Sequence, residues 1–248
     1  VTRFTLRRTA ILIGDCQAVS DKAQTFGFPK GKIVLFPWGV DLKHFTPGVS
    51  EDFRERLGWQ DAFVLLSLRS WEPLYGVVVF LRAFARAAKV VPDLMLILLG
   101  GGSQASEFRQ ILVENDLLDR VYFGGHVSQN DLPEFYKSAD LYVSASHSDG
   151  SSVSLMEALA SGCPVLISDI PGNLEWVTDG VHGWIFPDGD QDAICEGILK
   201  AYHHREKLPL YAQAARSLAE KRANWSKNFQ YLMKAYEMAI MNGSKLNE

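Results

Sequence analysis

The sequence predicts an α/β protein whose central sheet is parallel and doubly wound, with helices on both faces. Three observations support this prediction. Short, unbroken apolar runs recur along the 248 residues, amphipathic stretches separate them, and the links between the two are short. Unbroken apolar runs indicate strands covered on both faces, as in parallel sheets. Their alternation with helices implies right-handed crossover connections.

The apolar runs are predicted to be strands, and most of them are closed by Gly, Ser or Asp. They are residues 32–36, 63–68, 94–99, 120–123, 140–146, 164–168 and the shorter run 183–187. The stretches between and after them are predicted to be helices. They are residues 76–89, 104–114, 131–138, 152–160, 191–204, 208–222 and 225–241. Asp190 is the predicted N-cap of the fifth helix.

The first 46 residues are predicted to be organised differently. They read as a strand, a helix, a second strand and then an irregular stretch, in which Pro37, Gly39, Pro47 and Gly48 indicate a linker. The regular α/β unit is predicted to begin near Asp61. Because the sequence lacks an initiator Met and enters structure at once, we expect it to be part of a longer chain.

The composition excludes some classes of protein. Hydrophobic residues make up 47% and charged residues 22%, enough for a sizeable core. The formal net charge of −4 argues against a nucleic-acid partner. Cys16, Cys163 and Cys195 are far apart and match no metal spacing, so we expect reduced thiols in a cytoplasmic protein. We recognise no metal-binding Asp-x-Asp motif in the sequence and predict no metal site.

Candidate site residues follow the predicted strands, because ligands of doubly wound sheets bind at the carboxyl ends of the strands. Arg69 follows one strand, and the segments 100–103, 124–126 and 147–152 follow three others. An Arg at this edge suits a pyrophosphate, although an ion pair with Glu72 is an equal alternative. The glycines at 100–102 would admit a ligand, or would simply form a turn.

Two acids, Asp149 and Glu157, stand eight residues apart around a predicted helix start. Residues 150–152 are small and lead into that helix, whose free N–H groups and dipole attract an anion. Eight residues of helix span about 12 Å, which is close to the length of a folded nucleotide-diphosphate sugar. The alternative is that Asp149 caps the helix and Glu157 pairs with Arg or Lys. For the pair together we favour a ligand.

The segment SHSDGSSVSLMEALASGCPVLISDIPGNLEWVTDGVHGWIFPDGD resembles the nucleotide-sugar-binding segment of the retaining glycosyltransferases of family four, which have the GT-B fold. The matching positions are Asp149, Gly150, Glu157, Ala158, Gly162, Pro164, Val165, Gly172, Glu175, Val177, Gly180, Gly183, Pro187, Gly189 and Asp190. Upstream, PWGVDLKHFTPG is similar to the interdomain hinge of the family, and LRSWEPLYGVVVFLRAF to its Arg-containing loop.

The resemblance covers nearly the whole chain and implies its organisation. It implies a Rossmann-like donor domain, the C-terminal half of a GT-B glycosyltransferase, together with the tail of the N-terminal domain. Residues 1–46 would be the remnant of the acceptor domain and the linker, residues 47–222 the donor-binding domain, and residues 223–248 a helix that crosses back to the acceptor domain. We therefore expect an apolar patch, self-association, and poor sugar transfer by this chain alone.

The resemblance also implies a role for each matching residue. Arg69 would neutralise the leaving pyrophosphate, Asp149 would hold a sugar hydroxyl, and Glu157 would bind the ribose. The remaining donor-binding positions would be Gly150, Ser151, Ser152 and Val153 at the phosphates, Gly125, His126 and Val127 at the base, and Gly100, Gly101 and Tyr75 beside them. Two positions depart from the pattern of the family: Asp149 replaces the usual Glu, and Tyr75 stands where a Lys is usual.

The implied activity is transfer of a sugar from a nucleotide-diphosphate sugar, with a UDP-sugar as the expected donor, with retention at the anomeric carbon and without metal or other cofactor. The acceptor would be a saccharide, a lipid or a small molecule. A peripheral contact with the cytoplasmic membrane would come through the acceptor domain. The alternatives are a nucleotide-sugar epimerase, a phosphorylase, a nucleotide-sugar-binding module without turnover, and a doubly wound domain with no sugar ligand.

Overall fold

The computed structural model describes residues 2–244, which contain two parallel sheets. The smaller sheet joins strand β1 (Leu12–Gly14) to strand β2 (Ile33–Leu35). Helix α1 (Thr2–Arg8) precedes this sheet, and helix α2 (Gln17–Thr25) connects its two strands. The predicted strand, helix and strand of the first 46 residues are therefore present.

The larger sheet has six strands, all parallel to their neighbours. They are β3 (Phe63–Ser67), β4 (Leu94–Leu99), β5 (Val121–Gly125), β6 (Leu141–Ser144), β7 (Val165–Ser168) and β8 (Gly183–Phe186). Their order in the sheet is β5-β4-β3-β6-β7-β8, so the chain winds outward from β3 in one direction and then from β6 in the other. This order confirms the predicted doubly wound sheet, and its switch point lies between β3 and β6.

Nine further helices surround and follow this sheet in the described part of the chain. They are α3 (Glu51–Leu57), α4 (Val77–Ala87), α5 (Ala105–Glu114), α6 (Leu132–Lys137), α7 (Val153–Ala160), α8 (Pro171–Leu174), α9 (Gln191–His203), α10 (Leu208–Arg222) and α11 (Trp225–Ser244). Asp190 caps α9 as predicted, because its carboxylate accepts a hydrogen bond from the N–H of Ala193 at 2.9 Å.

Two hydrophobic cores explain the unbroken apolar runs. Leu65 and Leu96 pack on one face of the sheet in a core with α4, α5 and α9, whereas Val64 and Leu66 pack on the other face in a core with α6, α7 and α10. All four side chains are fully buried. Neighbouring residues of a strand point to opposite faces, so a sheet covered on both sides demands apolar residues at every position.

Helix α3 differs from the prediction, which began the regular unit only near Asp61. The helix buries Phe53, whose ring contacts Tyr122 and Phe135 at centroid distances of 5.2 and 5.1 Å. Seven residues, with Phe53 and Leu57 as the apolar ones, provide too little periodicity for a helix to be recognised from sequence. Its stability comes from packing on the sheet layer instead.

Helix α11 lies against the linker and the small sheet. The ring of Trp225 stacks near Trp38 and meets the edge of Phe36, and the buried Asn228 donates to the carbonyl of Trp38. Tyr236 and Ile240, further along α11, are exposed. Within residues 2–244, no helix combines the length and the hydropathy that a transmembrane span requires.

Candidate functional site

A cavity of about 460 Å³ opens at the carboxyl ends of β3 and β6, at the switch point of the large sheet. It brings together most of the predicted site residues: Arg69, Tyr75, Asp149, Ser151, Ser152, Val153 and Glu157. It also contains Asp15, Trp38 and Gln129, which the sequence analysis did not select. The three carboxylates and the guanidinium make this cavity the candidate functional site.

Another cavity, of about 450 Å³, lies at the opposite end of the sheet. Two of its charged groups already satisfy each other, because Arg54 pairs with Asp140 at 2.8 Å and also donates to the carbonyl of Ser138. Burial raises the pKa of Asp140, in spite of Arg54. We therefore regard this cavity as part of the packing of the sheet and not as the candidate site.

Arg69 is placed by the end of β3 and is held on several sides. Its Nη1 atom donates to the hydroxyls of Ser152 and Ser154, both at 2.9 Å, and its Nη2 atom lies 2.6 Å from a carboxylate oxygen of Asp149. The ring of Tyr75 lies 4.5 Å from the guanidinium carbon. These contacts fix a cation at the mouth of the helix that begins with Val153.

The alternative ion pair between Arg69 and Glu72 is not formed. Glu72 accepts hydrogen bonds from the backbone N–H and the hydroxyl of Ser103, and these bonds lower its pKa. The Nε atom of Arg69 is buried and has no hydrogen-bond partner among the described residues. The guanidinium therefore keeps one donor that its neighbours do not use, which is costly unless a ligand or water supplies an acceptor.

Asp149 does not cap α7, although helix capping was the alternative to ligand binding. Its Oδ1 atom accepts from the N–H of Gly150 at 2.9 Å, and its Oδ2 atom pairs with Arg69. The N-cap position of α7 belongs to Ser152, whose side chain makes no capping bond. The carboxylate of Asp149 is thus held at the entrance of the helix, beside the cation.

Glu157 lies one turn beyond Val153 along α7 and is 3% exposed. Tyr136 donates to its Oε2 atom at 2.9 Å, and Gln129 donates to its Oε1 atom at 2.8 Å. Burial raises the pKa of Glu157, and these two hydrogen bonds oppose the rise. Both residues that donate to Glu157 are neutral, whereas the alternative interpretation required an Arg or a Lys. The carboxylate of Glu157 can therefore accept hydrogen bonds from further donors.

The N-terminus of α7 is partly occupied by the protein itself. The N–H of Ser151, which the sequence analysis assigned to a phosphate, donates to Asp15 at 3.1 Å. Asp15 comes from the loop after β1, and the sequence carries no sign of its contact with Ser151 because the two residues are 136 positions apart. The same rule that selected Arg69, a polar residue after a strand, would have selected Asp15 had it been applied to β1.

Five of the remaining predicted residues lie at the ends of β4 and β5, outside this cavity. The N–H of Gly100 donates to the carbonyl of Gly125 at 2.6 Å, and Gly101 lies against the ring of His126. Gly100 has a φ of +96°, so a side chain there would be strained. Val127 packs against the core that contains α6 and α7. None of these residues, nor Gly150, lines the 460 Å³ cavity as the structure describes it.

Comparison with known proteins shows similarity to glycosyltransferases. The chain is 30% identical over 200 residues to D-inositol 3-phosphate glycosyltransferase 2 of Catenulispora acidiphila, which is 75% of this chain and 47% of that protein. The chain spans about half the length of the curated relatives it matches.

Solved structures share the fold. Anabaena HepE in complex with UDP and glucose superposes with a TM-score of 0.84 at 21% identity, covering 96% of this chain and 67% of that chain. The C-terminal domain of the glycosyl transferase group 1 protein LpcC from Francisella tularensis superposes with a TM-score of 0.66 at 22% identity, covering 75% of this chain and 99% of that chain.

The family model described as glycosyl transferases group 1 matches residues 49–230. This match includes the whole six-stranded sheet and the helix that carries Glu157. It confirms the resemblance found in the sequence. The chain belongs to the glycosyl transferases group 1 family.

Proposed function

We propose that the chain is the donor-binding part of an enzyme that transfers a sugar from a nucleotide-diphosphate sugar, with a UDP-sugar as the expected donor. One observation carries the proposal: Arg69, Asp149 and Glu157 surround a single cavity, and the N-terminus of α7 lies between the two acids. Two of the proteins with this fold bind UDP, Anabaena HepE and the pneumococcal transferase GtfA.

In the proposed complex the diphosphate lies between Arg69 and the N-terminus of α7. Arg69 contributes a fixed positive charge, and the N–H groups of Ser151, Ser152 and Val153 contribute donors at the start of the helix. Glu157 accepts hydrogen bonds from the ribose hydroxyls, and Asp149 accepts one from a hydroxyl of the sugar. To contact the diphosphate, Arg69 exchanges its bond to Asp149 for a phosphate oxygen.

The proposed chemistry is transfer with retention at the anomeric carbon. As the bond between sugar and phosphate breaks, negative charge grows on the leaving diphosphate. Arg69 stabilises that charge, and because its guanidinium is already held by Ser152 and Ser154, little reorganisation is needed during the reaction. Asp149 and Glu157 orient the two ends of the donor.

We propose that the acceptor is bound mainly by parts of the protein outside this chain, so that the chain binds the donor and transfers sugar poorly on its own. An epimerase would act on a nucleotide sugar without an acceptor, and a binding module would not turn over at all. Tyr75 stands where the family usually has a Lys, and this difference supports the binding module. Among the described residues that line the cavity, it leaves Arg69 to supply the positive charge.

The test is ligand-dependent stability, measured by thermal unfolding with UDP, GDP, ADP and their glucose, mannose or N-acetylglucosamine conjugates. A ligand at about 100 times its Kd adds about 2.7 kcal/mol to the free energy of unfolding. We expect UDP and one UDP-sugar to stabilise the protein, with or without chelator, and UMP to do so less. A folded protein that responds to no nucleoside diphosphate would overturn the proposal.

Turnover separates the enzyme from its alternatives. Incubation of the stabilising nucleotide sugar with the full-length protein and a panel of acceptors should release nucleoside diphosphate, and proton NMR of the product should show the anomeric configuration of the donor. A changed sugar without acceptor would indicate an epimerase, and binding without any turnover a binding module. An inverted product would contradict retention.

A further inference from the structure

Asp15 occupies the N-terminus of α7, where the proposed donor would place a phosphate. Its Oδ2 atom accepts from the N–H of Ser151 at 3.1 Å, and its backbone carbonyl accepts from the hydroxyl of Ser151 at 2.6 Å. Ser151 also accepts a bond from the indole of Trp176, so its hydroxyl is oriented toward Asp15. The contact is thus built from both the side chain and the backbone of Asp15.

Gly150 gives this carboxylate its space. A Cβ atom at Gly150 would lie only 2.1 Å from Oδ2 of Asp15, so any larger residue there would expel the carboxylate. Asp15 itself lines the 460 Å³ cavity together with Arg69 and Asp149. The carboxylate therefore sits inside the candidate site and not beside it.

A second carboxylate makes the reciprocal contact. Glu175, which follows α8, accepts from the N–H groups of Gln17 and Ala18 at 2.9 and 3.2 Å. Those N–H groups begin α2, which has no acid in its own first turn and no side-chain cap. Asp15 thus accepts a hydrogen bond at the start of α7, and Glu175 accepts hydrogen bonds at the start of α2. Together the two carboxylates dock the β1–α2 loop onto the large α/β unit.

The charges around the cavity oppose an incoming anion while Asp15 remains there. Among the described residues that line the cavity, Asp15, Asp149 and Glu157 are acids, and Arg69 is the cation, already paired with Asp149. A diphosphate placed against Ser151 would meet the carboxylate of Asp15 at close range, where like charges repel.

We propose that Asp15 is a built-in competitor of the donor: its carboxylate mimics a phosphate at α7, and the nucleotide binds only when the β1–α2 loop releases Ser151. This inference rests on the proposed function. It makes donor binding and the docking of this loop mutually exclusive, and the reciprocal bonds of Glu175 favour the docked, nucleotide-free state.

The first experiment compares the Kd of UDP for the wild type, Asp15→Ala and Asp21→Ala by calorimetry. If the docked state holds about nine molecules in ten, removing the competitor lowers the Kd of UDP about tenfold. Asp21 lies in α2, outside the cavity, so Asp21→Ala removes the same charge without freeing Ser151 and should leave the Kd unchanged. An unchanged or higher Kd in Asp15→Ala would overturn the inference.

Glu175→Gln separates competition by docking from a simple change of charge in the cavity. Glu175 does not line the cavity, yet its loss weakens the docking of the β1–α2 loop, so UDP should bind more tightly by a smaller factor than in Asp15→Ala. A Kd equal to that of the wild type would reject competition by docking. If neither the wild type nor Asp15→Ala binds UDP, the proposed function itself fails; tight binding that is indifferent to Asp15 rejects this inference alone.

Discussion

The guanidinium of Arg69 lies 2.6 Å from the carboxylate of Asp149, and both side chains are largely buried at the mouth of α7. A pair of this kind holds two catalytic candidates in place before any ligand arrives. The charge of Arg69, the cation proposed to bind the diphosphate, is therefore neutralised by Asp149 in the nucleotide-free state. The affinity for a nucleotide then depends on the free energy needed to break the ion pair between Arg69 and Asp149.

Asp149→Asn should therefore strengthen the binding of UDP severalfold, because Arg69 is released to the diphosphate. The same variant should weaken the extra affinity that an intact UDP-sugar has over UDP, because Asn accepts a weaker hydrogen bond from the sugar. Calorimetric titration of both ligands measures the two effects. Asp188→Asn, an exposed acid outside the cavity, is the control. A loss of UDP affinity in Asp149→Asn would contradict this role of the pair.

Glu157→Ala should weaken the binding of UDP by about 1.5–3 kcal/mol, the free energy that a hydrogen bond to a charged group contributes. The proposed partner is the ribose, so 2′,3′-dideoxy-UDP should bind the wild type and the variant equally. Tyr136 keeps its bond to the carbonyl of Ser154 in this variant, which limits the structural damage. Equal losses for UDP and its dideoxy analogue would exclude the ribose as partner.

Glu157 should also make stability depend on pH. Burial raises its pKa above the ordinary value of 4.5, so the folded state holds the proton more firmly than the unfolded chain does. The resulting stabilisation is complete below pH 4.5 and disappears as the pH rises through the raised pKa. Urea unfolding measured across this pH range should show that the free energy of unfolding declines less in Glu157→Gln than in the wild type. An equal pH dependence in the two proteins would exclude Glu157 as the source of the decline.

UDP binding should show the opposite trend with pH. An ionised carboxylate accepts ribose hydroxyls more strongly than a protonated one, so the affinity for UDP should increase as the pH rises through the raised pKa of Glu157. The increase should be absent in Glu157→Gln. Uridine, which keeps the ribose and has no phosphate, is the control for titration of the phosphates, and a profile that Glu157→Gln does not alter would assign the effect to them.

Tyr75→Lys should strengthen UDP binding, because it adds a second cation to a cavity in which acids outnumber cations. Tyr75→Phe keeps the ring over Arg69 and should leave the affinity near that of the wild type. The gain in Tyr75→Lys should fall with added salt, as expected for an exposed charge. No gain at low ionic strength would show that the position does not face the diphosphate.

Gly172→Ala should disturb the site through the backbone. A Cβ at Gly172 would lie 2.2 Å from the carbonyl oxygen of Gly150 and 2.7 Å from that of Asp149, so one of the two segments must move. We expect a loss of about 1–3 kcal/mol in the free energy of unfolding and weaker binding of UDP-sugar. Gly31→Ala, which has nothing within 4 Å, should change neither quantity.

The fold was predictable to the extent that the elements carry their own pattern. Val64, Leu65 and Leu66 are apolar without interruption because both faces of the sheet are covered, and this pattern identified β3 from sequence. Helix α3 was missed because Phe53 and Leu57 alone do not establish a period. The pattern of Gly150, Glu157 and the glycines beyond them was dense enough to indicate the family, which the family model then matched.

What the sequence determined by itself is the alternation of strands and helices, the edge of the sheet where Arg69 and Asp149 emerge, and the separation of the two acids around the start of α7. Each depends on residues close together in the chain, where helical and strand periods dictate position. Only the tertiary structure decided which partners these groups have: Asp149 for Arg69, Tyr136 and Gln129 for Glu157, and Asp15 for Ser151. These partners are separated by 21 to 136 residues, and no local period specifies such contacts, because they arise when the packed sheet brings distant loops to one edge.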